Sequence, residues 1–463
     1  MSNQEKMNNT DMNTISGTKN VGLKDTSEGG ESLPLAPAGK PSSVTPSAGT
    51  PRNAPKTSRN KKNYEELKQF IPQNNNEENY ALLTHYLMMK DSEAKLTKRQ
   101  ELIEKFSFED SKLSEVEKFF KVKEIPFTSK KDSTFTFIDL FAGIGGFRLA
   151  MQKNGGHCVF SSEWDDAAKQ TYYENYGEVP FGDITKDETK ALIPEHFDVL
   201  CAGFPCQAFS IAGKRKGFDD DYKGICRGTL FLEVAEIAEK HRPSCIFCEN
   251  VKGLTNHDHG RTFKIIKNTF EKVGYTVFEK ILNSKDYDVP QNRERIYIVA
   301  FRNDLNINNF DFPAPCNRKK CINDIIEKSI PSSKYWLSDV YLETLRRHKA
   351  RHEAKGNGFG FVIRDRNDVA GTLVCGGMGR ERNLIIDNRL SNYVPVTHIK
   401  GSINKEGVRK LTPLEWSLIQ SFPENFRMPL ADTHMYKQFG NSVSVKVIEK
   451  ISKKICEAIH VEI

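Results

Sequence analysis

Asp198-Val-Leu-Cys-Ala-Gly-Phe-Pro-Cys-Gln-Ala-Phe-Ser210 is an apolar run that stops at Gly203 and delivers a Pro-Cys-Gln turn with Cys206 at its tip. Strand-forming residues closed by glycine and proline predict a buried strand ending in a tight loop, the edge at which open α/β sheets place their chemistry. Pro205 fixes its own φ and steers Phe204 away from helix, so the backbone leading to the thiol is stiff. A thiol presented in this way can act as a nucleophile; a buried structural cysteine is the competing reading.

Upstream, Phe135-Thr-Phe-Ile-Asp-Leu-Phe141 predicts a strand, and Ala142-Gly-Ile-Gly-Gly146 a turn that feeds an amphipathic helix from Phe147 to about Lys153. Strand, glycine loop and helix open a nucleotide-binding α/β unit, and Gly143, Gly145 and Gly146 let backbone approach a ligand where a Cβ would collide. A tight turn without a ligand is the alternative. A second strand over 157–162 ends in Glu163 and Asp165 around Trp164. Glu163 lies about twenty residues past the first loop glycine, where such units hold a ribose by its hydroxyls. The spacing Gly-x-Gly-Gly departs from the dinucleotide fingerprint. A third unit ends in Gly182-Asp183-Ile184-Thr, whose carboxylate is placed for an adenine amino group. Ribose and adenine without pyrophosphate describe S-adenosylmethionine.

Downstream, residues 211–229 form a long, glycine-rich, charged segment with Lys214, Arg215, Lys216 and Arg227. A mobile active-site loop that meets phosphate and a solvated surface loop both fit this composition. A helix from Leu230 to about Lys240 leads to the strand Ser244-Cys-Ile-Phe-Cys248 and then to Glu249-Asn-Val251. If this strand neighbours the first, Glu249 and Cys206 face one pocket; an N-cap acid or an ion pair is the plainer role for Glu249. After a helix over 261–273 and a strand over 275–282, Gln291-Asn-Arg-Glu-Arg295 precedes another buried strand. Arg293 and Arg295 are thereby held near the sheet, where a guanidinium needs an acceptor: a local carboxylate or a substrate carbonyl oxygen.

The 463 residues, 38% of them hydrophobic, are enough for two or three domains. A net charge of +7 permits a polyanionic partner. The ten cysteines show no zinc spacing, so no metal is expected and the thiols are taken as reduced. No apolar run approaches the roughly eighteen residues that span a bilayer, and a soluble, cytoplasmic protein follows. Residues 1–62 are rich in Ser, Thr, Asn, Pro and Gly and are expected to be disordered. Residues 63–130 are charged and helix-favouring, with Leu113, Val116, Phe119 and Phe120 at helical spacing. This extension is expected to pack or interact rather than to form a helix-turn-helix reader.

Asp139-Leu-Phe-Ala-Gly-Ile-Gly-Gly146, Gly203-Phe-Pro-Cys-Gln207, Glu249-Asn-Val251, Gln291-Asn-Arg-Glu-Arg295 and Gly440-Asn-Ser-Val443, in that order, resemble the motif series of the DNA cytosine-5 methyltransferases. The resemblance covers roughly 134–460. It implies an α/β, Rossmann-like S-adenosylmethionine-dependent catalytic domain (131–325, completed by 412–463) and a smaller, mostly β target-recognition domain (326–411). It further implies methyl transfer to C5 of a flipped cytosine in double-stranded DNA, with S-adenosylhomocysteine as product. Cys206 would add to C6, Glu249 and Arg295 would hold N3 and O2, and Arg293 would stand with them in the catalytic set. Phe141, Gly143, Gly145, Gly146, Glu163, Trp164, Asp183, Ile184, Gly203, Pro205 and Ser442 would meet the cofactor, with Asn441 there and bracing the catalytic loop. An RNA cytosine-5 methyltransferase shares this thiol chemistry, and a non-catalytic DNA-binding regulator is the reading from another class.

Between Arg295 and the last motif the sequence turns irregular and basic. Glycine-rich loops bearing arginine suit a DNA groove, where Arg gives two bonds to guanine. Arg364, Arg366, Arg380 and Arg382, with Gly376 and Gly377, are candidates there, and Gln207, Ser210 and Arg227 from the nucleophile's side; phosphate contact is the alternative for each arginine. The stretches Gly356–Gly360 and Gly376–Asn383 are similar to the subgroup that modifies 5'-CCGG-3'. A monomer, acting as the modification half of a restriction-modification system beside a separate cognate endonuclease, is the implied setting.

Overall fold

Four parallel strands form the spine of the molecule: β1 (Phe135–Leu140), β2 (Gly156–Ser162), β3 (Val199–Ala202) and β4 (Cys245–Val251). Two antiparallel strands, β5 (Tyr275–Asn283) and β6 (Glu294–Arg302), extend the sheet in the order β2-β1-β3-β4-β6-β5. This computed structural model describes residues 64, 67–72, 78–89, 92–121, 123–130, 132–205, 230–316, 318–376, 379–390 and 402–459, with backbone alone at 221–222 and 225–226. The 1–62 leader and the calls on Cys206, Gln207, Ser210, Arg227 and Gly377 lie outside these residues.

Alternation along the strands explains why helices cover both faces. Val199 and Cys201 of β3, with Cys245 and Phe247 of β4, point into one core; Leu200, Ala202, Ile246 and Cys248 point into the other. The first core is closed by α4 (Gly146–Lys153), α9 (Pro413–Ile419), α10 (Asp432–Asn441) and α11 (Val445–Ala458). At the start of α9, Thr412 caps the helix in a capping box with Glu415, and Pro413 sits in the first turn.

The second core is closed by α6 (Leu230–His241) and α7 (Arg261–Lys272), and also by the extension. Helices α1 (Glu78–Met88), α2 (Glu93–Phe106) and α3 (Asp110–Lys121) bring Leu83, Tyr86, Leu87, Leu102, Leu113, Val116 and Phe120 against Ile138, Leu140, Phe160 and Phe181. The extension is therefore part of the catalytic layer structure, a packing role as expected. α5 (Asp166–Tyr176) follows β2, capped by the Asp165 side chain.

One expected element is nearly absent. The third unit, read from the sequence as ending at Gly182-Asp183, forms no strand; Phe181 makes a single parallel bridge to Ser162. Pro180 removes a donor there, and the segment is held by other means described below. In the insert, α8 (Asp339–Glu353) is the longest element, accompanied by short strands β7 (Leu384–Ile386) and β8 (Val408–Lys410). The insert is joined to the sheet layer where Ala370 and Gly371 pair with Gln291 and Asn292. Among the described residues no helix is long and apolar enough to cross a membrane.

Candidate active site

The register of the parallel strands lines up the loops. Leu140 pairs with both Ser162 and Ala202, and Ala202 with Cys248. Glu163, Phe141, Gly203 and Glu249, each the next residue along, therefore stand side by side at one edge of the sheet. β2 and β3 flank β1, so the chain reverses direction across the sheet there. That crevice beyond the carboxyl ends of the strands is where open α/β folds bind ligands.

On the β1–β2 side, Phe141 leaves the strand at φ 57, a conformation disfavoured for a residue with a Cβ. The three loop glycines then divide their work. A Cβ on Gly145 would fall 2.3 Å from the Tyr176 ring, and one on Gly146 would fall 2.7 Å from Val443 Cγ2. At both positions packing within the protein already requires glycine. Gly143 (φ +55) alone has open space, with no atom within 4 Å of an added Cβ. Its N–H donates to Glu163 Oε2 at 2.8 Å, while Glu163 Oε1 accepts from the N–H groups of Trp164 (2.9 Å) and Asp165 (2.8 Å). Burial pushes the Glu163 carboxyl above its ordinary range, and the backbone donors of Asp165 and Gly143 pull it back. For Asp165 burial also works upward, but Lys437 at 2.6 Å holds that carboxyl below its usual range. Trp164 is 42% exposed, Ile184 is buried, and Asp183 Oδ1 accepts from Thr185 N–H at 3.0 Å. An open glycine, a fixed carboxylate with lone pairs to spare and an exposed indole fit an adenosine group.

On the β3–β4 side, Gly203 packs against Phe147 and Val443, and Pro205 is the last described residue before the thiol. Asn250, buried, donates from Nδ2 to the Phe204 carbonyl at 3.3 Å and so ties the two loops together. Glu249 and Arg295 meet: Arg295 Nε lies 3.1 Å from Glu249 Oε1, with side chains 12% and 10% exposed. The ion-pair reading of Glu249 is thus met by Arg295, on the strand beside it. Burial, then the Glu249 carboxylate, keeps the neighbouring Tyr297 hydroxyl protonated. The buried thiols of Cys158, Cys201, Cys245, Cys248 and Cys456 are all pushed up by burial, Cys158 and Cys456 to about 12, and are inert as nucleophiles.

Arg293 differs from expectation. Its guanidinium donates to the Leu373 carbonyl (3.2 Å) and the Ser442 carbonyl (2.8 Å), neither a local carboxylate nor a group on the Glu249 side. It ties the insert to the last motif. Gln291, which sequence reasoning passed over, does the same: Oε1 accepts from Leu373 N–H and Nε2 donates to Gln420 Oε1, both at 3.0 Å. Gln420 in turn donates to the Phe439 and Ser442 carbonyls. Full polar pairing at 0% exposure is what makes Gln291 tolerable, and its place in a quoted motif was the only signal. Asn441 is exposed at the end of α10, and Ser442 contributes its carbonyl to the tie.

Among the DNA candidates, Arg364 Nε donates to the Arg382 carbonyl (3.3 Å) and Arg366 Nε to Asn323 Oδ1 (2.9 Å). The two arginines line one groove of about 540 Å³ with Asn323, Asp365, Asn367 and Ile386. Arg380 lies over the Tyr436 ring and Arg382 over the exposed Phe359, and neither lines the groove, although the Arg382 carbonyl is bonded to Arg364. Gly376 is exposed.

Comparison with known proteins agrees with this geometry. A family model described as C-5 cytosine-specific DNA methylase matches residues 135–457. The type II methyltransferase M.HpaII of Haemophilus parainfluenzae is 57% identical over 325 residues, 70% of this chain and 89% of that protein. M.SsoII of Shigella sonnei is 44% identical over 334 residues, 71% and 82% respectively. The solved methyltransferase EhMeth of Entamoeba histolytica superposes with a TM-score of 0.54 at 19% identity, covering 70% of this chain and 98% of that one, a likeness of fold. With its ordered loops on one sheet edge and its match over most of its length, the chain belongs to the C-5 cytosine-specific DNA methylase family and is a DNA cytosine-5 methyltransferase that uses S-adenosylmethionine.

Proposed function

We propose that the chain methylates C5 of a cytosine flipped out of a short duplex site, through a transient bond between Cys206 and C6, as the modification half of a type II restriction-modification system. The observation that carries this is the alignment of Glu163, Phe141, Gly203 and Glu249 across adjacent strands. Bound S-adenosylmethionine supplies an electrophilic methyl group. Glu163 holds the ribose hydroxyls, Trp164 covers the adenine, and Asp183 accepts from its amino group. C5 of cytosine is a weak nucleophile, so thiolate addition at C6 first makes the ring electron-rich. Glu249 bonded at N3 and Arg295 at O2 stabilise the charge that moves into the ring. Once C5 has taken the methyl group and S-adenosylhomocysteine has been released, loss of the C5 proton to a base and expulsion of Cys206 as thiolate restore the aromatic ring. Because the reacting edge is inaccessible in a duplex, the base has to leave the stack.

The target is 5'-CCGG-3', on the similarity of Gly356–Gly360 and Gly376–Asn383 to that subgroup, with support from the 57% identity to M.HpaII. The enzyme acts in the cytoplasm as a monomer, and a cognate endonuclease would share only the site. Bisulfite sequencing of DNA from cells expressing the chain tests reaction and target together. Protection confined to one cytosine of CCGG is expected; protection at another motif refutes the target, and no protection with methylated tRNA instead refutes the substrate class.

A further inference from the structure

Helix α1 lies outside the residues matched to the family, yet it is bonded to the back of the loop that carries Asp183. Between α5 and Asp183 the chain runs Gly177-Glu-Val-Pro-Phe-Gly182, secured to the sheet by one bridge. Phe181 N–H donates to the Ser161 carbonyl at 2.8 Å, and the Phe181 carbonyl accepts from Glu163 N–H at 2.9 Å. The position of Phe181 therefore sets Glu163 directly and Asp183 two residues on.

α1 grips this segment at successive points. Thr84 Oγ1 accepts from Val179 N–H at 2.9 Å in a buried setting. The His85 ring packs against Phe181 at a tilt of 36° with centroids 4.7 Å apart, and its Nδ1 is fixed 2.8 Å from the Ala81 carbonyl. Beyond Asp183, Thr189 Oγ1 donates to Glu78 Oε1 at 2.8 Å. Glu178, 3.7 Å from His85 Nε2, also binds Arg148 at 2.5 Å, on the helix launched by the glycine loop. α1 also buries Ala81, Leu82, Leu83, Tyr86 and Leu87, so apolar packing and these polar links act together on it. What the links share is the stretch 178–189, which lacks a strand ladder to hold it.

We infer that α1 positions the adenosine-holding rim of the cofactor pocket, with Thr84 as its principal positioning residue, so that docking of the extension and binding of S-adenosylmethionine are coupled. This rests on the reading of Glu163 and Asp183 as cofactor contacts. The test compares full-length wild type, Thr84→Val and Thr84→Ser for equilibrium binding of S-adenosylmethionine, duplex affinity, kcat and KM. Thr84→Val is expected to weaken the cofactor at least about fivefold, raising its KM, while kcat at saturation and duplex affinity stay unchanged. Thr84→Ser, which keeps the acceptor, restores binding. Unchanged cofactor affinity in Thr84→Val overturns the inference, as does a parallel fall in kcat and duplex affinity. If Thr84→Val does not fold, Glu78→Ala, which removes the acceptor of the Thr189 hydroxyl, carries the same comparison. Wild type that binds no S-adenosylmethionine would instead overturn the reading of the pocket itself.

Discussion

Glu249 and Arg295 hold each other in a site where neither is well solvated. Removing one partner of such a pair leaves an uncompensated charge, and on the proposed mechanism it also removes a group that meets the base. Arg295→Ala is expected to lower single-turnover methyl transfer by about 10²- to 10³-fold with cofactor affinity nearly unchanged. A loss confined to duplex affinity would show that Arg295 acts on binding alone. The residues of this pair stood out in the sequence because each was read as adjoining a strand, and the structure places both within one, Glu249 in β4 and Arg295 in β6. The role of Arg293 was not legible there: its acceptors are carbonyls 80 and 149 residues away along the chain, which only the folded insert and the last motif bring together.

At the level of elements, α10 meets the insert backbone to backbone. A Cβ at Gly440 would sit 2.8 Å from Cys375 N and 3.0 Å from Val374 C, atoms with little freedom to move. Gly440→Ala should therefore cost about 1–3 kcal/mol, read as a lowered Tm. The insert is anchored again where Arg409, itself fully buried, binds both Asp387 and Glu415 at 2.8 Å. Although burial works to raise it, Arg389 and Arg409 hold the Asp387 carboxyl far below its ordinary range. The unfolded chain then takes up the proton first as pH falls, so this stabilisation is present above the ordinary aspartate range and lost below it. Asp387→Asn is expected to remove about 3 kcal/mol at neutral pH and to flatten the acid limb of the stability curve; an unaltered acid limb would contradict this. Periodicity predicted the strands with apolar runs and the helices with one apolar face. It overcalled the third unit because the apolar residues around Phe181 pack against α1 and Phe160 rather than enter a ladder.

Across the whole molecule, the extension and the catalytic sheet share one core, which the sequence presented as two textures. Helical spacing in 63–130 shows that a face is buried, but its complement is spread over β1, β2 and the Phe181 segment and becomes visible only on folding. Arg364 and Arg366 line one groove and are proposed to meet the duplex there. Replacing both with alanine should lower the salt dependence of duplex binding by about two phosphate equivalents, measured as the slope of log affinity against log salt. The most direct test of the account is a duplex carrying 5-fluorocytosine at the target position, incubated with the chain and S-adenosylmethionine and digested for peptide mapping. A stable protein–DNA adduct through Cys206 is the expected result, absent in Cys206→Ala; no adduct on the CCGG duplex, or one through another residue, would contradict it.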